Sequence, residues 1–388
     1  MGEAARRGRV SELLVRNARI VTRDESFAGS LRAEGGRITE VAPGPSGARG
    51  ALDCEGDWLV PGLVELHTDV LERHAFPRPG VQWPTAAAVV AYDAQLASAG
   101  ITTSFDSLAI GYVFDTGQRP RDPRPLAAAI RDAQDRGLLR ADHFLHIRCE
   151  VGTAQLLDDF EPFVDDPLLR LVSLMDHTPG QRQFVSLDRY REFYQGKYGL
   201  SDTQMEALIA ARLADQVTYS ARHREAITRR CQERGVTLVS HDDATVAHVE
   251  EAAKIGTAIA EFPTTLEAAH AARAYGLAIL AGAPNLVCGR SHSGNVAVAD
   301  LARHDRLDVL SSDYAPAALL HGAVLLHSEL GWSPAEAIAT VTATPAERVG
   351  LEDRGEIVPG RRADLVRFRL IDGLPIVRAV WRLGQRVV

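Results

Sequence analysis

The chain has few cysteines, few lysines and no long apolar run. Its 388 residues include four cysteines (Cys54, Cys149, Cys231 and Cys288), which lie far apart and form no CxxC pair. This spacing excludes a zinc finger or a disulfide scaffold. It predicts free thiols in a reducing compartment, so we expect a cytoplasmic location. No apolar run is long enough to cross a bilayer, and the N-terminal MGEAARRGRV lacks the apolar core of a secretory signal.

The charge balance also limits the partners that we expect. The formal net charge is −8, with 46% hydrophobic and 24% charged residues, as in an ordinary globular enzyme or binding protein. An acidic chain is a poor ligand for nucleic acid or for a membrane surface, so we expect neither as a partner. The sequence leaves open whether the chain forms a homo-oligomer.

Eight short apolar runs alternate with longer segments of helical pattern. The runs lie at residues 59–69, 101–107, 143–150, 171–177, 236–243, 257–263, 277–285 and 308–314, and the helical segments include 85–99, 123–137, 202–234, 244–254 and 265–275. Eight strand–helix units are typical of the α/β class, in the form of a (β/α)8 TIM barrel.

Both ends of the chain are rich in strand-like segments. Near the N-terminus these are residues 13–15, 18–21 and 37–41, separated by Gly, Asn and Pro signals, and near the C-terminus they are 363–368 and 377–382. We therefore expect residues 1–58 and 355–388 to form a small β-sandwich domain, and residues 59–354 to form the barrel.

Metal-binding residue types stand where six of the eight predicted strands end. On a strand, residues i and i+2 face the same side, so His67 and Asp69 are expected to bind one cation together. The carboxyl ends of barrel strands meet at the active face, so the other endings are expected to join them. The predicted metal ligands are His67, Asp69, Glu150, His177, His241 and Asp313.

Imidazoles mixed with carboxylates favour zinc, manganese or iron, and we expect two divalent ions. Glu150 is expected to bridge them, and two ions would lower the pKa of a bridging water. Asp313 is expected to bind one ion and to accept the proton of the water, although a turn or a helix N-cap is the alternative for this residue. His146 alternates with Arg148 and Glu150 and is expected to line the barrel below the site.

Two stretches of sequence resemble the amidohydrolase superfamily. VPGLVELHTD is similar to its first-strand motif and RRADLVRF to its closing β-domain motif, and the resemblance extends over nearly the whole chain. It implies a metal-binding (β/α)8 barrel with a small β-domain made from both chain ends. Most members of the superfamily have His-x-His on the first strand, and a lysine commonly bridges their metals. This chain has His67-Thr68-Asp69 at the first position, and no lysine ends one of its predicted strands. Glu150 is the natural substitute for the bridging lysine.

Longer strings narrow the resemblance to one branch. ELHTDVLERHAFPRPGVQWP, SLMDHTPGQRQF, EFPTT and PNLVCGRSHSGNVAV are similar to the diphosphatases of the carbon–phosphorus lyase pathway, with Val70 where we expect Asn. The resemblance implies hydrolysis of alpha-D-ribose 1-methylphosphonate 5-triphosphate to the 5-phosphate and pyrophosphate, in phosphonate catabolism. Metal-activated water would attack the α-phosphorus.

Basic residues in the loops that follow barrel strands suit a phosphate-rich substrate. A triphosphate needs positive charge and N–H donors, and late barrel loops often bind phosphate at a helix N-terminus. The sequence leaves open whether His177 and Glu261 both touch metal. The residues expected to contact substrate are His74, Arg78, Arg182, Lys197, Glu261, Arg290, His292 and Asn295.

Two other functions fit the same scaffold. One is hydrolysis of an amide bond, by an N-acetyl-sugar deacetylase or a cyclic amidase, and the basic loops argue against it. The other is a non-catalytic amidohydrolase-like assembly protein, which would be expected to have lost metal ligands, whereas the set here is intact.

Overall fold

The computed structural model describes residues 12–111, 122–182, 187–291 and 294–388. The chain begins with five strands: β1 (Glu12–Val21), β2 (Ser26–Glu34), β3 (Arg37–Pro43), β4 (Leu52–Asp53) and β5 (Trp58–Pro61). The two short strands expected at 13–15 and 18–21 are one strand, β1, whose pairing with β2 shifts register between Val15 and Ala18. Asn17 adopts a left-handed backbone there (φ 52°), as an irregularity in a strand pair often requires.

Eight parallel strands follow and form a nearly closed barrel in which each strand pairs with the next along the chain. They are β6 (Leu63–Thr68), β7 (Ile101–Ile110), β8 (Asp142–Glu150), β9 (Leu169–Met175), β10 (Thr237–His241), β11 (Ile259–Glu261), β12 (Ala278–Gly282) and β13 (Val309–Ser311). A bridge between Thr68 and Asp313 brings the last strand against the first. The predicted barrel is therefore confirmed.

Helices connect the parallel strands, because a parallel pair needs a long crossover. They are α1 (Val70–Ala75), α2 (Thr85–Ser98), α3 (Arg124–Asp135), α4 (Leu156–Phe160), α5 (Leu187–Tyr198), α6 (Asp202–Arg234), α7 (Val246–Lys254), α8 (Leu266–Ala274), α9 (Ala283–Val287), α10 (Val298–Arg303), α11 (Ala318–Ser328), α12 (Pro334–Ala339) and α13 (Ala343–Arg348). The long helix α6 begins at a capping box of Ser201 and Gln204 and ends at the left-handed Gly235. Among the described residues, no helix is both long and apolar enough to span a membrane.

The C-terminal strands β14 (Leu365–Ile371), β15 (Leu374–Arg382) and β16 (Gln385–Arg386) return to the N-terminal ones. Together they make a second eight-stranded sheet in the order β16-β15-β14-β5-β1-β2-β3, with β4 beside β1. This separate sheet from both chain ends was expected. Leu365 pairs with Pro61, so β5 belongs to this sheet, and the proposed domain boundary at residue 59 falls inside that strand.

An apolar layer fills the lower part of the barrel. Buried side chains there come from the barrel strands and pack together: Val64, Leu66, Phe105, Leu171, Val239, Ile259, Ala278, Leu280 and Val309, with Phe144 against them. The barrel is thus a packed core at this level, and polar side chains further along the same strands lie on an apolar floor.

Candidate metal centre

The candidate site lies directly above the apolar layer, at the carboxyl ends of the barrel strands. Val239 and Ile259 belong to that layer. Two residues further along the same strands stand His241 and Glu261. Since residues i and i+2 of a strand share a face, both polar side chains point into the barrel above the floor.

His67 reaches the interior through an irregularity in β6. The pairing of β6 with β7 shifts register between Glu65 and Thr68, and such a shift re-aims a side chain. The His67 ring is buried, with Nδ1 2.6 Å from Oε1 of Glu261. The strand ends at Thr68 and Asp69 is the N-cap of α1, so the strand alternation expected for His67 and Asp69 does not extend to Asp69.

Glu261 binds two imidazoles at once. Its Oε1 lies 2.6 Å from Nδ1 of His67, and its Oε2 lies 2.6 Å from Nδ1 of His241. Burial would raise the pKa of Glu261, but the facing imidazoles hold it well below its usual range. The carboxylate can only accept, so each Nδ1–H donates, and in the neutral ring Nε2 is then the nitrogen with the lone pair that a metal needs. Glu261, expected among the substrate contacts, is thus turned towards the metal-ligand histidines.

Glu150 holds His177 in the same manner. Its Oε2 lies 2.6 Å from Nδ1 of His177, while Oε1 accepts the His177 backbone N–H at 3.0 Å and faces Nη2 of Arg212 at 3.3 Å. Burial would lower the pKa of His177, but Glu150 and Asp242 raise it to about 9. Both oxygens of Glu150 therefore have protein partners, an arrangement that favours a residue that positions His177 over the expected bridge between ions.

Asp242 completes a group with a shape suited to a cation. Its Oδ2 lies 3.6 Å from Nε2 of His177 and 3.4 Å from Nε2 of His241. A tetrahedral ion with bonds of about 2.0–2.1 Å places its ligand atoms roughly 3.3 Å apart, so the three side chains fit a divalent metal. A second group of possible ligands contains His67, His146 and Glu261.

The backbone of Asp242 is itself unusual. It adopts a left-handed conformation (φ 55°), and its N–H donates to the Glu261 carbonyl at 2.9 Å. Such conformations cost free energy outside glycine, although Asp tolerates them better than most residues. Asp313 (φ 52°) has the same conformation at the end of the eighth barrel strand, so two acidic residues of the site carry it.

Asp313 lies next to the first barrel strand. Its N–H donates to the His67 carbonyl at 3.0 Å, and the Asp69 N–H donates to the Asp313 carbonyl at 3.2 Å. Burial raises the pKa of Asp313, and the nearby Asp69 carboxylate adds to this effect against the opposing His67. The alternative of a helix N-cap does not apply, because α11 begins at Ala318 with Ala317 as its N-cap.

Glu65 is a buried carboxylate that the sequence interpretation missed. It accepts the His67 N–H at 2.7 Å and the Ser312 N–H at 2.6 Å, so it joins the first barrel strand to the end of the last. Burial raises the pKa of Glu65 to about 7. The sequence did contain an indication of this role, because Glu65 is a charged residue inside the apolar run that leads to His67. Buried carboxylates are rare without a partner.

The residues expected to contact substrate lie in different surroundings. His74 has its Nε2 2.8 Å from Oε1 of Gln95. Arg78 and Arg290 are exposed, and Asn295 is half-buried. His292 and the side chain of Lys197 lie outside the described residues.

Arg182, expected among the substrate contacts, is held by two carboxylates. It is buried and pairs with Asp243, and its second Nη nitrogen lies 3.0 Å from Glu251. A guanidinium with two carboxylate partners has the character of a structural ion pair, and we do not carry it forward as a substrate contact. The two neighbouring acids of the SHDD segment (residues 240–243) therefore have different partners. Asp243 forms an ion pair with Arg182, whereas Asp242 belongs to the group of possible metal ligands. The sequence had no signal to distinguish them.

Known proteins match the chain along most of its length. The model of the amidohydrolase family matches residues 94–388. The chain is 46% identical over 377 residues to the alpha-D-ribose 1-methylphosphonate 5-triphosphate diphosphatase of Escherichia coli (strain K12), covering 97% of this chain and 100% of that protein.

Solved structures share the fold. The N-isopropylammelide isopropylaminohydrolase of Burkholderia multivorans matches with a TM-score of 0.63 and 17% identity, covering 97% of this chain and 98% of that one. The N-acetyl-D-glucosamine-6-phosphate deacetylase of Mycobacterium smegmatis matches with a TM-score of 0.61 and 18% identity, covering 97% and 100%. At such low identity these structures establish the fold alone.

Proposed function

Because the chain belongs to the amidohydrolase family, we propose that it is a metal-dependent diphosphatase in phosphonate catabolism. Its substrate is alpha-D-ribose 1-methylphosphonate 5-triphosphate, and its products are the 5-phosphate and pyrophosphate. The observation that carries the proposal is the 46% identity to the E. coli diphosphatase of that substrate, along that protein's whole length. The intact groups of metal-ligating side chains support an enzyme over a non-catalytic assembly protein.

Two divalent ions would be held at the carboxyl ends of the barrel strands. His177, His241 and Asp242 are the proposed ligands of one ion. For the second ion we propose His67 from the other group, with Asp69 and Asp313, whose backbones lie next to His67, as its carboxylate ligands. This mixture of imidazoles and carboxylates favours zinc, manganese or iron. When bound, the ions would lower the pKa of a water and neutralise charge on the phosphoryl oxygens.

The protein's own groups then position the substrate and move the proton. Asp313 accepts the proton of the attacking water, since its carboxylate lies at the end of the eighth barrel strand next to His67. The water oxygen bonds to the α-phosphorus, the bond from that phosphorus to the bridging oxygen breaks, and pyrophosphate leaves.

The exposed Arg78 and Arg290 lie in loops after the first and seventh barrel strands. With His74, Lys197, His292 and Asn295 they are the proposed substrate contacts. Guanidinium groups suit phosphate because their planar forks donate two hydrogen bonds at once.

The proposed partner is therefore a small, highly anionic metabolite. The described cysteines are all free, which supports a reducing, cytoplasmic location. A homo-oligomer stays a proposal that size-exclusion chromatography with light scattering would test.

Phosphorus NMR tests the proposal. Metal-loaded protein is mixed with the ribose triphosphate, and parallel samples receive an N-acetylated sugar phosphate. The proposal expects the triphosphate signals to be replaced by those of pyrophosphate and of a monophosphate ester. Turnover of the N-acetylated sugar without pyrophosphate release would overturn it in favour of amide hydrolysis.

A further inference from the structure

Arg148 lies in the polar layer of the barrel, between two residues already placed at the site. It stands on β8 two residues after His146 and two before Glu150, so the three side chains share one face of the strand. Its register partners on the neighbouring strands are Ala109 and Ser173, whose side chains are small. The guanidinium therefore has room inside the barrel, although the residue is only 9% exposed.

The charges around Arg148 belong to the candidate metal centre. Burial acts to raise the pKa of the Asp242 and Asp313 carboxyls, and the positive charge of Arg148 opposes it in both, as it also opposes protonation of the buried His67 and His146 rings. The guanidinium thus acts electrostatically on carboxylates of both proposed ion sites.

Within the described part of the chain, Arg148 has no ion pair, and its Nε is buried without a hydrogen-bond partner. Other buried arginines have carboxylate partners. Arg354 lies 2.7 Å from Asp142 and 2.8 Å from Asp353, while Arg182 pairs with Asp243. A buried guanidinium with an unpaired donor is costly, and such an exception calls for a ligand that the protein chain does not supply.

Divalent ions at the site would leave the charge of Arg148 without a carboxylate to balance it. Once Asp242 and Asp313 bind divalent ions, their negative charge is already compensated, and the charge of Arg148 is left for an anion. The guanidinium of Arg148 is planar and can donate two parallel hydrogen bonds in a poorly solvated site. This suits it to bind the equatorial oxygens of a phosphoryl group, which carry the charge while that group is transferred to water.

We propose that Arg148 is a catalytic residue that binds the non-bridging oxygens of the α-phosphoryl group during hydrolysis. This inference rests on the proposed diphosphatase function. Arg148 makes no covalent bond: water adds to phosphorus, its proton passes to Asp313, pyrophosphate leaves, and the guanidinium stabilises the charge that develops.

The test compares Arg148→Ala, Arg148→Lys and the matched control Arg354→Ala, each loaded with metal and assayed for pyrophosphate release. Arg148→Ala is expected to lose on the order of 100-fold or more in kcat, as for removal of a donor to a developing anion. Its metal content is expected to stay unchanged. Added guanidinium ion is expected to restore part of kcat in Arg148→Ala, and to restore none in Arg354→Ala, whose defect is in stability.

The outcomes separate the two proposals. If wild-type protein releases no pyrophosphate, the diphosphatase proposal fails. If wild-type protein is active and Arg148→Ala keeps its kcat within about threefold, the role of Arg148 alone is overturned. Loss of activity together with bound metal, with no rescue by guanidinium and equal loss in the folded Arg148→Lys protein, also overturns it, because that is the behaviour of a structural charge.

Discussion

The Glu261 carboxylate accepts a hydrogen bond from Nδ1 of His67 at 2.6 Å. Its other oxygen does the same for Nδ1 of His241. One buried acid thus sets the tautomer of two histidines on different barrel strands, and both present Nε2 to the proposed ions. The arrangement makes metal affinity depend on a residue that need not touch the metal.

Replacing Glu261 with Gln therefore tests this arrangement. The glutamine amide has one accepting oxygen and one donating nitrogen, so one of the two imidazoles loses its acceptor. We expect metal affinity to fall about 10- to 100-fold, as for other partners of metal-ligating histidines. Competition with a fluorescent chelator measures the change, and the exposed Glu347→Gln serves as the control. Unchanged affinity in Glu261→Gln would contradict the assigned tautomers.

Asp242→Asn isolates the charge of a proposed ligand. Asparagine tolerates the left-handed backbone of this position (φ 55°) about as well as aspartate, so the local fold should persist. We expect the ion held with His177 and His241 to be lost first, seen as a fall in metal content by elemental analysis. Full metal content in this variant would remove Asp242 from the ligand set.

Asp313→Asn removes the proposed base. An amide cannot accept the proton of the attacking water, so we expect kcat to fall by about 100-fold or more. Turnover is followed by pyrophosphate release at matched metal content. Activity close to that of the wild type with metal bound would assign the proton to another group.

The buried His143 predicts a pH dependence of stability away from the metal centre. Its Nδ1 lies 2.8 Å from Asp106 and its Nε2 lies 3.3 Å from Asp93. Burial would lower the pKa of His143, but the two carboxylates raise it from its ordinary value of 6.5 to about 10. Between these values the folded protein holds a proton that the unfolded chain has released. Its stabilising contribution is therefore complete below about pH 6.5 and is lost as pH rises towards 10.

The matching measurement compares His143→Gln with the wild type in urea unfolding from pH 6.5 to 10. We expect the difference in free energy of unfolding to shrink as pH rises, by about 1.4 kcal/mol per pH unit at most, which corresponds to one proton. A difference that is constant across this range would show that His143 is neutral in the folded protein.

Much of the fold could be predicted because it depends on local pattern. The eight apolar runs fall on the eight barrel strands, and the helix expected over 202–234 is α6 with those same bounds. The apolar run at 277–285 was less accurate, since it divides into the strand β12 and the start of the helix α9. The ends of strands also indicated where His67, His177, His241 and Asp313 would gather.

Pairings between distant residues could not be predicted. Arg182 was expected to contact the phosphates of the substrate, and the structure pairs its guanidinium with Asp243 and Glu251. Glu150 was expected to bridge two ions, and the structure places one of its oxygens 2.6 Å from Nδ1 of His177. The surroundings of Arg182 and Glu150 depend on which side chains the fold brings next to them. A single sequence does not show which distant residues become neighbours.

The most direct test of the account is hydrolysis of the ribose triphosphate by metal-loaded protein in ¹⁸O-labelled water. The account predicts one ¹⁸O atom in the ribose 5-phosphate product and none in pyrophosphate, because water bonds to the α-phosphorus. Isotope-shifted phosphorus NMR or mass spectrometry reads the label in each product. Label in pyrophosphate, or the absence of pyrophosphate, would contradict the central claim.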